Sequence, residues 1–154
     1  MFKKFVVMVV LAVLVLGTLA GCGKTAGGET TEGGIPADAA LKITGSVNNE
    51  IGWAEADVRA MDTIEAQAPN KEGVVSTYTG VSINTLLEKA GVKEGATALV
   101  FVADDGYTSE VVLAEVQACA DCIVSFREQG GFSTVLPGFS NKAQVKGVVE
   151  IQVK

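Results

Sequence analysis

The amino-acid sequence predicts an α+β domain with mixed, mostly antiparallel sheets and two or three short helices. Three observations lead to this fold class. Short runs alternate apolar and polar residues, as half-buried strands do, and turn residues separate them. The run from Ala98 to Ala103 is apolar throughout and fits a buried central strand. Helical patterns are few and brief, and no internal repeat is visible, so we expect one core in which sheets and small helices pack together.

The first half of the domain is predicted from alternation and turn chemistry. Leu41 to Val47 alternates, and Asn48, Asn49 and Glu50 are turn residues. Trp53 is expected to pack in or beside the core, just before a segment with early acidic residues that is typical of a helix start. The predicted elements are a strand at 41–47, a helix at 54–61, and a hairpin of strands at 63–68 and 74–78.

The second half contains the clearest helix. Ser82 is a plausible N-cap, apolar residues fall on one face of the next eight residues, and Gly91 fits a C-cap. Phe132 and Phe139 lie in an aromatic-bearing loop, which is a common binding edge, although core support is the more usual role. The predicted elements are a helix at 83–90, strands at 98–103 and 107–113, a helix at 114–119, and strands at 123–126 and 145–153.

The amino terminus has the layout of an export signal. Lys3 and Lys4 precede an apolar run from Phe5 to Leu16, which is short for a membrane-spanning helix. The following Leu-Ala-Gly-Cys ends at Cys22 and resembles the lipobox of bacterial lipoproteins. The resemblance implies a signal peptide at 1–21, acylation of the Cys22 thiol, as by palmitate, and an extracytoplasmic protein that is lipid-anchored to the cell membrane. A plain signal peptide or an anchor helix with a chance cysteine is the alternative.

Composition narrows the function classes. Residues 22–39 comprise Cys22 and a Gly-, Thr- and Glu-rich stretch without apolar periodicity, which predicts a flexible linker before a domain at 40–154. Removal of residues 1–21 takes away two lysines and no acids and brings the charge from −6 to about −8. An acidic domain does not suit nucleic acid. The chain has no histidine, which excludes Ser-His-Asp and Cys-His catalysis and His-ligated metals.

Cys119 and Cys122 are a second candidate for chemistry. At this spacing the thiols would face the same side of a helix, and an oxidising compartment lets them pair. They could be half of a zinc site, but no second pair of ligands exists. A thioredoxin-like motif would need the pair at a helix start after a strand. We therefore favour a structural disulfide.

Asp104 and Asp105 could form a paired-carboxylate or calcium site. Calcium takes six or more oxygen ligands, and only two carboxylates are local. Asp tolerates turn geometry, Gly106 supplies a positive φ, and Tyr107 can pack on the returning strand. A tight hairpin turn is the favoured interpretation, and no metal site is expected.

Four segments together resemble the molybdopterin-binding oxidoreductase domain of the sulfite oxidase family in a compact form. They are residues 41–47, 78–91 with its Tyr-x-Gly-Val and Ala-Gly, 105–107 with Asp-Gly-Tyr, and 145–151. The resemblance implies an α+β fold that holds a molybdenum–pterin cofactor, with one cysteine sulfur on the metal. The candidate ligand-binding residues that it assigns are Tyr78, Thr79, Gly80, Asp105, Gly106, Tyr107 and Lys146.

The chain departs from that family at the metal ligand. The family's cysteine lies upstream of the Tyr-x-Gly-Val segment, but no cysteine occurs between Gly23 and Ala118. Basic residues to hold the pterin phosphate are scattered. We therefore expect no cofactor and a non-catalytic module that binds a small molecule or an envelope protein, with the membrane reached through Cys22. A molybdopterin-dependent oxidoreductase, or a subunit of one, is the alternative.

Overall fold

The computed structural model describes residues 34–70 and 72–154. The predicted signal peptide, Cys22 and the linker up to residue 33 lie outside the described residues. Strands are β1 Leu41–Gly45, β2 Ile51–Trp53, β3 Ile64–Pro69, β4 Val75–Ser82, β5 Ala98–Ala103, β6 Thr108–Val112, β7 Ile123–Phe126, β8 Phe132–Val135 and β9 Val148–Val153. Helices are α1 Glu55–Arg59, α2 Ile83–Ala90 and α3 Leu113–Gln117, and Asn141–Ala143 forms a 3₁₀ helix.

The strands form two sheets. The five-stranded sheet has the order β2-β1-β9-β5-β6, and the four-stranded sheet has the order β3-β4-β7-β8. Within the described chain only β1 and β9 run parallel, and the other neighbours are antiparallel. The predicted α+β class with mostly antiparallel sheets is confirmed.

One main core joins both sheets and the helices. β5 lies between β9 and β6, and its Leu99 and Phe101 are completely buried. From the four-stranded sheet, Val81, Val124 and Phe132 enter the same core. Burial of a side chain of this size contributes about 1.5–3 kcal/mol, so these residues fix how the two sheets face each other.

Helix α2 occurs where the sequence predicted it. Ile83, Leu86, Leu87 and Ala90 are its buried residues and lie on one face. The helix ends at Gly91, whose φ of +68° is left-handed and whose N–H donates to Leu87 O at 2.9 Å. Ser82 is the N-cap residue, as predicted, although its hydroxyl makes no cap hydrogen bond.

Several boundaries differ from the prediction. β2 was missed because three residues are too short to show alternation, and β8 was missed because Phe132 was assigned to a loop. α3 ends at Gln117, so Cys119 and Cys122 lie in the turn after the helix and do not share a helical face as predicted. The closing strand begins only at Val148.

The packed domain begins before residue 40. The Ala40 N–H donates to Trp53 O at 2.8 Å, and a Cβ placed on Gly52 would lie 2.7 Å from Ile35 Cγ2 and 2.8 Å from Ala39 Cβ. Ile35 and Ala39 therefore cover β2 closely. Trp53 itself is half-buried against the main core, as predicted. In the part of the chain that the structure describes, no helix is both long and apolar enough to cross a membrane.

Candidate functional site

The turn between β5 and β6 is held by local hydrogen bonds. Asp105 Oδ1 accepts the Tyr107 N–H at 2.9 Å, and the Gly106 N–H donates to Ala103 O at 3.1 Å. Gly106 has a φ of +85°, which glycine adopts without strain. The Asp105 carboxylate is therefore used within the turn, as the turn interpretation expects.

The same turn is tied to the segment before β9. The Tyr107 hydroxyl donates to Lys142 O at 3.0 Å, and the Asp104 N–H donates to Gly147 O at 2.8 Å. A Cβ on Gly147 would lie 2.5 Å from Asp104 Oδ1, so a side chain there would displace the Asp104 carboxylate, and the φ of +68° at Gly147 favours glycine. Lys146 is exposed beside it and forms a backbone bridge with Ser133. The structure thus brings residues 105–107 and Lys146 to one end of the five-stranded sheet.

The other predicted ligand-binding residues lie in the four-stranded sheet. Tyr78 is half-buried and packs against a small cluster, defined by the buried residues Ala66, Ala68, Ile123 and Val135. Thr79 is exposed. Gly80 pairs with Ser125 on β7, and a Cβ on Gly80 would collide with Val124 O. In the described residues no hydrogen bond joins Tyr78, Thr79 or Gly80 to the 105–107 turn, and the two groups lie in different sheets, so their shared role in ligand binding stays a prediction.

Cys119 and Cys122 form a disulfide with a Cα–Cα distance of 5.5 Å. Cys122 is buried and Cys119 is partly buried. Asn84 on α2 supports the turn, because its Nδ2 donates to Gln117 O at 3.2 Å and to Cys119 O at 3.4 Å. The disulfide fits the structural role favoured from the sequence, and its oxidation state in the cell stays a prediction.

The side chain of Arg59 is engaged by neighbouring groups. Its Nη2 lies 2.7 Å from Glu55 Oε1 and donates to Arg127 O at 3.0 Å, and its Cζ lies 4.8 Å from the centre of the Phe126 ring. The hydrogen bond from Arg59, aided by the Gly131 N–H and by the charge of Arg59, lowers the pKa of the Glu55 carboxyl. This guanidinium therefore already has an anionic partner.

The residues present do not fit a molybdenum–pterin group. A thiolate ligand is needed, and both cysteines of the domain are bonded to each other. Arg59 is paired with Glu55, and Lys154 lies 3.1 Å from Glu110. Among the described residues, no three side chains of the kinds His, Cys, Asp and Glu are close enough to hold a metal ion.

One concave surface of the described residues was largely missed by the sequence interpretation. We call it the β6 groove: it lies along β6 and α3, faces the loop at residues 137–140, and has a volume of about 770 Å³. Glu110, Val112 and Glu115 line one side, and Pro137 and Phe139 line the other. From the sequence, a binding edge was considered for the aromatic loop and core support was favoured for its rings, and Phe132 and Phe139 do contact the main core. The acidic side was not recognised, although the exposed residues Thr108, Glu110 and Val112 recur at every second position along β6.

Comparison with known proteins supports the fold and shows no family for this chain. No family model matches the chain, and no curated protein matches it. Among solved structures, the crystal structure of the sulfane dehydrogenase SoxCD from Paracoccus pantotrophus is similar, with a TM-score of 0.61 at 18% sequence identity. The match covers 73% of this chain and 37% of the SoxCD chain, so the chain corresponds to well under half of that protein. This likeness supports the predicted sulfite-oxidase-like fold.

Proposed function

We propose that this protein is a lipid-anchored, extracytoplasmic binding module that uses a sulfite-oxidase-like fold without molybdenum chemistry. The observation that carries the proposal is the pairing of Cys119 with Cys122, which leaves the domain without a thiolate for a metal. The sequence supplies no other cysteine after Cys22. A sulfite-oxidase-like fold without the metal-ligand cysteine supports a binding role over molybdenum catalysis.

The proposed anchor is the lipid on Cys22. The basic residues, apolar run and Leu-Ala-Gly-Cys at the amino terminus support it, because together they have the order of a lipoprotein signal. Several acyl chains on one residue hold a protein firmly to a bilayer, whereas one chain is marginal. The net negative charge of the domain argues against a polybasic contact with anionic lipid in place of the lipid on Cys22.

Fractionation of cells that express the full chain tests the anchor. We expect the wild-type protein in the membrane fraction, labelled by a radioactive or clickable palmitate analogue. The Cys22→Ser chain should lose the label and its processing after residue 21, and any processed product should be soluble. The matched control is Cys119→Ala/Cys122→Ala, which should keep the label. Label retained by Cys22→Ser would contradict lipidation at Cys22.

The second candidate is a molybdopterin-dependent oxidoreductase or a subunit of one, and the fold likeness to SoxCD favours it. The two candidates differ in whether the folded chain binds the cofactor, and a ligand that binds the folded chain raises its unfolding temperature. We expect the full chain, made in a host that cannot synthesise molybdopterin, to unfold cooperatively and at the same temperature as chain from a competent host. A chain that stays unfolded until the pterin is supplied would favour the oxidoreductase.

A further inference from the structure

β6 is an edge strand with unpaired backbone groups. Towards β5, the Leu113 N–H donates to Thr97 O at 2.9 Å, and Tyr107 O accepts the Ala103 N–H at 2.8 Å. Hydrogen bonding alternates along an antiparallel pair, so the N–H groups of Thr108, Glu110 and Val112 point away from β5. In the described part of the chain, no backbone hydrogen bond reaches these groups from another element.

Not all of this edge is accessible. At the Thr108 end, the Tyr107 hydroxyl ties the strand to the 3₁₀ helix through Lys142 O. The β6 groove opens beside Glu110 and Val112. The Val112 carbonyl faces the first turn of α3, as at any helix N-cap. A partner strand can therefore pair with the Glu110 N–H, the Glu110 C=O and the Val112 N–H. These are the groups that an added β-strand uses.

The side chains of the groove define the chemistry of a partner. Val112 is 50% exposed, and Pro137 and Phe139 are half-buried on the opposite side. Two exposed carboxylates, Glu110 and Glu115, line the strand side. Glu110 forms an ion pair with Lys154, and within the described residues Glu115 has no ion-pair partner. An extended segment with apolar side chains and at least one lysine or arginine would complement both features.

The protein's own linker is a poor occupant. The chain enters the domain at the β2 edge, where the Ala40 N–H binds Trp53 O, and β2 and β6 are opposite edges of the sheet. Four strand spacings separate them, or about 19 Å. Residues 23–33 carry two glutamates, one lysine and no large apolar side chain, so they would bring a net negative charge to an acidic groove without filling it.

A second copy of this chain is equally unsuited. A symmetric β6–β6 pair centred on Glu110 would place the two Glu110 carboxylates directly opposite each other, and one centred on Val111 would still place them on the same face as diagonal neighbours. Like charges at such positions destabilise a sheet. Charge complementarity therefore favours a different protein.

We propose that the β6 groove binds an extended apolar–basic segment of another envelope protein, which adds a sixth strand to the sheet through the backbone of Glu110 and Val112. This proposal rests on the binding role proposed above and names its partner class. Pairing of main-chain groups supplies affinity, and the alternating side chains of the segment supply specificity.

A proline at position 112 tests the strand pairing. Val112 has a φ of −72°, which a proline ring adopts, and its N–H is one of the unpaired groups. Val112→Pro should therefore fold while it removes the donor and fills the partner's position with ring atoms. Val112→Thr is the matched control, because it keeps both the N–H and the branched shape. Thermal unfolding of the three full-length proteins checks that the fold is retained.

The probe is the peptide acetyl-Lys-Val-Lys-Val-Lys-Val-amide, titrated calorimetrically into the full chain in detergent. We expect saturable binding, weakened at least tenfold by Val112→Pro and less than twofold by Val112→Thr. Equal binding by the two variants would overturn the proposal. No binding by the wild-type protein at 1 mM peptide would also overturn it, because that concentration is about 1,000 times a micromolar Kd. If Val112→Pro fails to fold, the charge variants below decide.

Charge selectivity provides the second readout. The same peptide with glutamate in place of lysine should bind the wild-type protein at least tenfold more weakly. Glu110→Gln with Glu115→Gln should reduce that preference to less than threefold, whereas Glu65→Gln with Glu72→Gln, which removes equal charge elsewhere, should preserve it. A preference unaffected by the groove variants would contradict the proposal. These titrations contain no molybdenum, so they fail or succeed independently of the cofactor question.

Discussion

The main core and the β3–β4 hairpin are built from similar strands but differ in support. β5 has a neighbouring strand on each side, and its Phe101 is completely buried. β4 pairs with β7 only at Gly80–Ser82, so Val75–Thr79 pairs with β3 alone. The outer half of the hairpin is a two-stranded ribbon, and Val75 near its tip is 64% exposed. Such a ribbon is only marginally stable by itself.

The boundary between these regions explains the Tyr-x-Gly-Val pattern. Tyr78 covers the small cluster at the base of the ribbon, Gly80 allows β7 to approach, and Val81 enters the main core. Each residue type has a packing reason at its position. The segment that suggested a cofactor family therefore marks a structural junction, and resemblance in it is evidence for the fold.

The largest expected effect comes from the main core. Phe101→Ala should lower the free energy of unfolding by about 4 kcal/mol, because Phe101 is completely buried and its loss leaves a cavity in the main core. Val75→Ala, at the exposed tip of the ribbon, should cost less than about 0.5 kcal/mol. Urea denaturation followed by circular dichroism measures both. Similar losses for the two variants would break the comparison.

A smaller effect is expected at the base of the ribbon. Tyr78→Ala should cost about 2 kcal/mol, because it uncovers the small cluster of Ala66, Ala68, Ile123 and Val135. Hydrogen exchange should then accelerate in β3 and the outer half of β4 while β5 and β9 keep their protection. Tyr78→Phe keeps the ring and should behave like the wild type. Faster exchange throughout the domain would show that the two regions are not independent.

The disulfide should contribute less. It closes a loop of only a few residues, so it removes little entropy from the unfolded chain, and Cys119→Ala/Cys122→Ala should cost about 1 kcal/mol. Peptide binding in the β6 groove should persist. Mass spectrometry after alkylation of the native protein determines the oxidation state, which we expect to be the disulfide. Free thiols, or loss of a redox activity in the double variant, would instead identify the pair as an active centre.

The smallest effect concerns pH. The pKa of Glu55 is lowered in the folded state, so the ionised carboxylate stabilises the fold. This stabilisation is fully present above pH 4.5, the usual pKa, and is lost as the pH falls through the lowered pKa. The pair is about a third exposed, so solvent screening limits the contribution to about 0.5 kcal/mol. Glu55→Gln should flatten the stability profile below pH 4.5 relative to Glu65→Gln. Identical acid profiles would contradict this role.

The sequence predicted elements best where one pattern dominated. The apolar run of β5 and the one-sided helix α2 were recognised because burial alone decides them. β2 has only three residues, and it is a strand because it pairs with β1. No local sequence pattern indicates that pairing. The candidate ligand-binding residues that the resemblance assigned lie in two sheets, and their role stays a prediction. The β6 groove depends on the position of a loop about thirty residues away, which no local pattern reveals.

The central claim is that the sulfite-oxidase-like fold here functions without molybdenum. The most direct test is metal analysis by inductively coupled plasma mass spectrometry on protein purified in detergent from its native host, grown with ample molybdate. For the wild type and for Cys119→Ala/Cys122→Ala, the account predicts less than about 0.05 molybdenum atoms per chain and no visible absorption band. A stoichiometric cofactor would give about one molybdenum atom per chain. Close to one molybdenum atom per wild-type chain would contradict it.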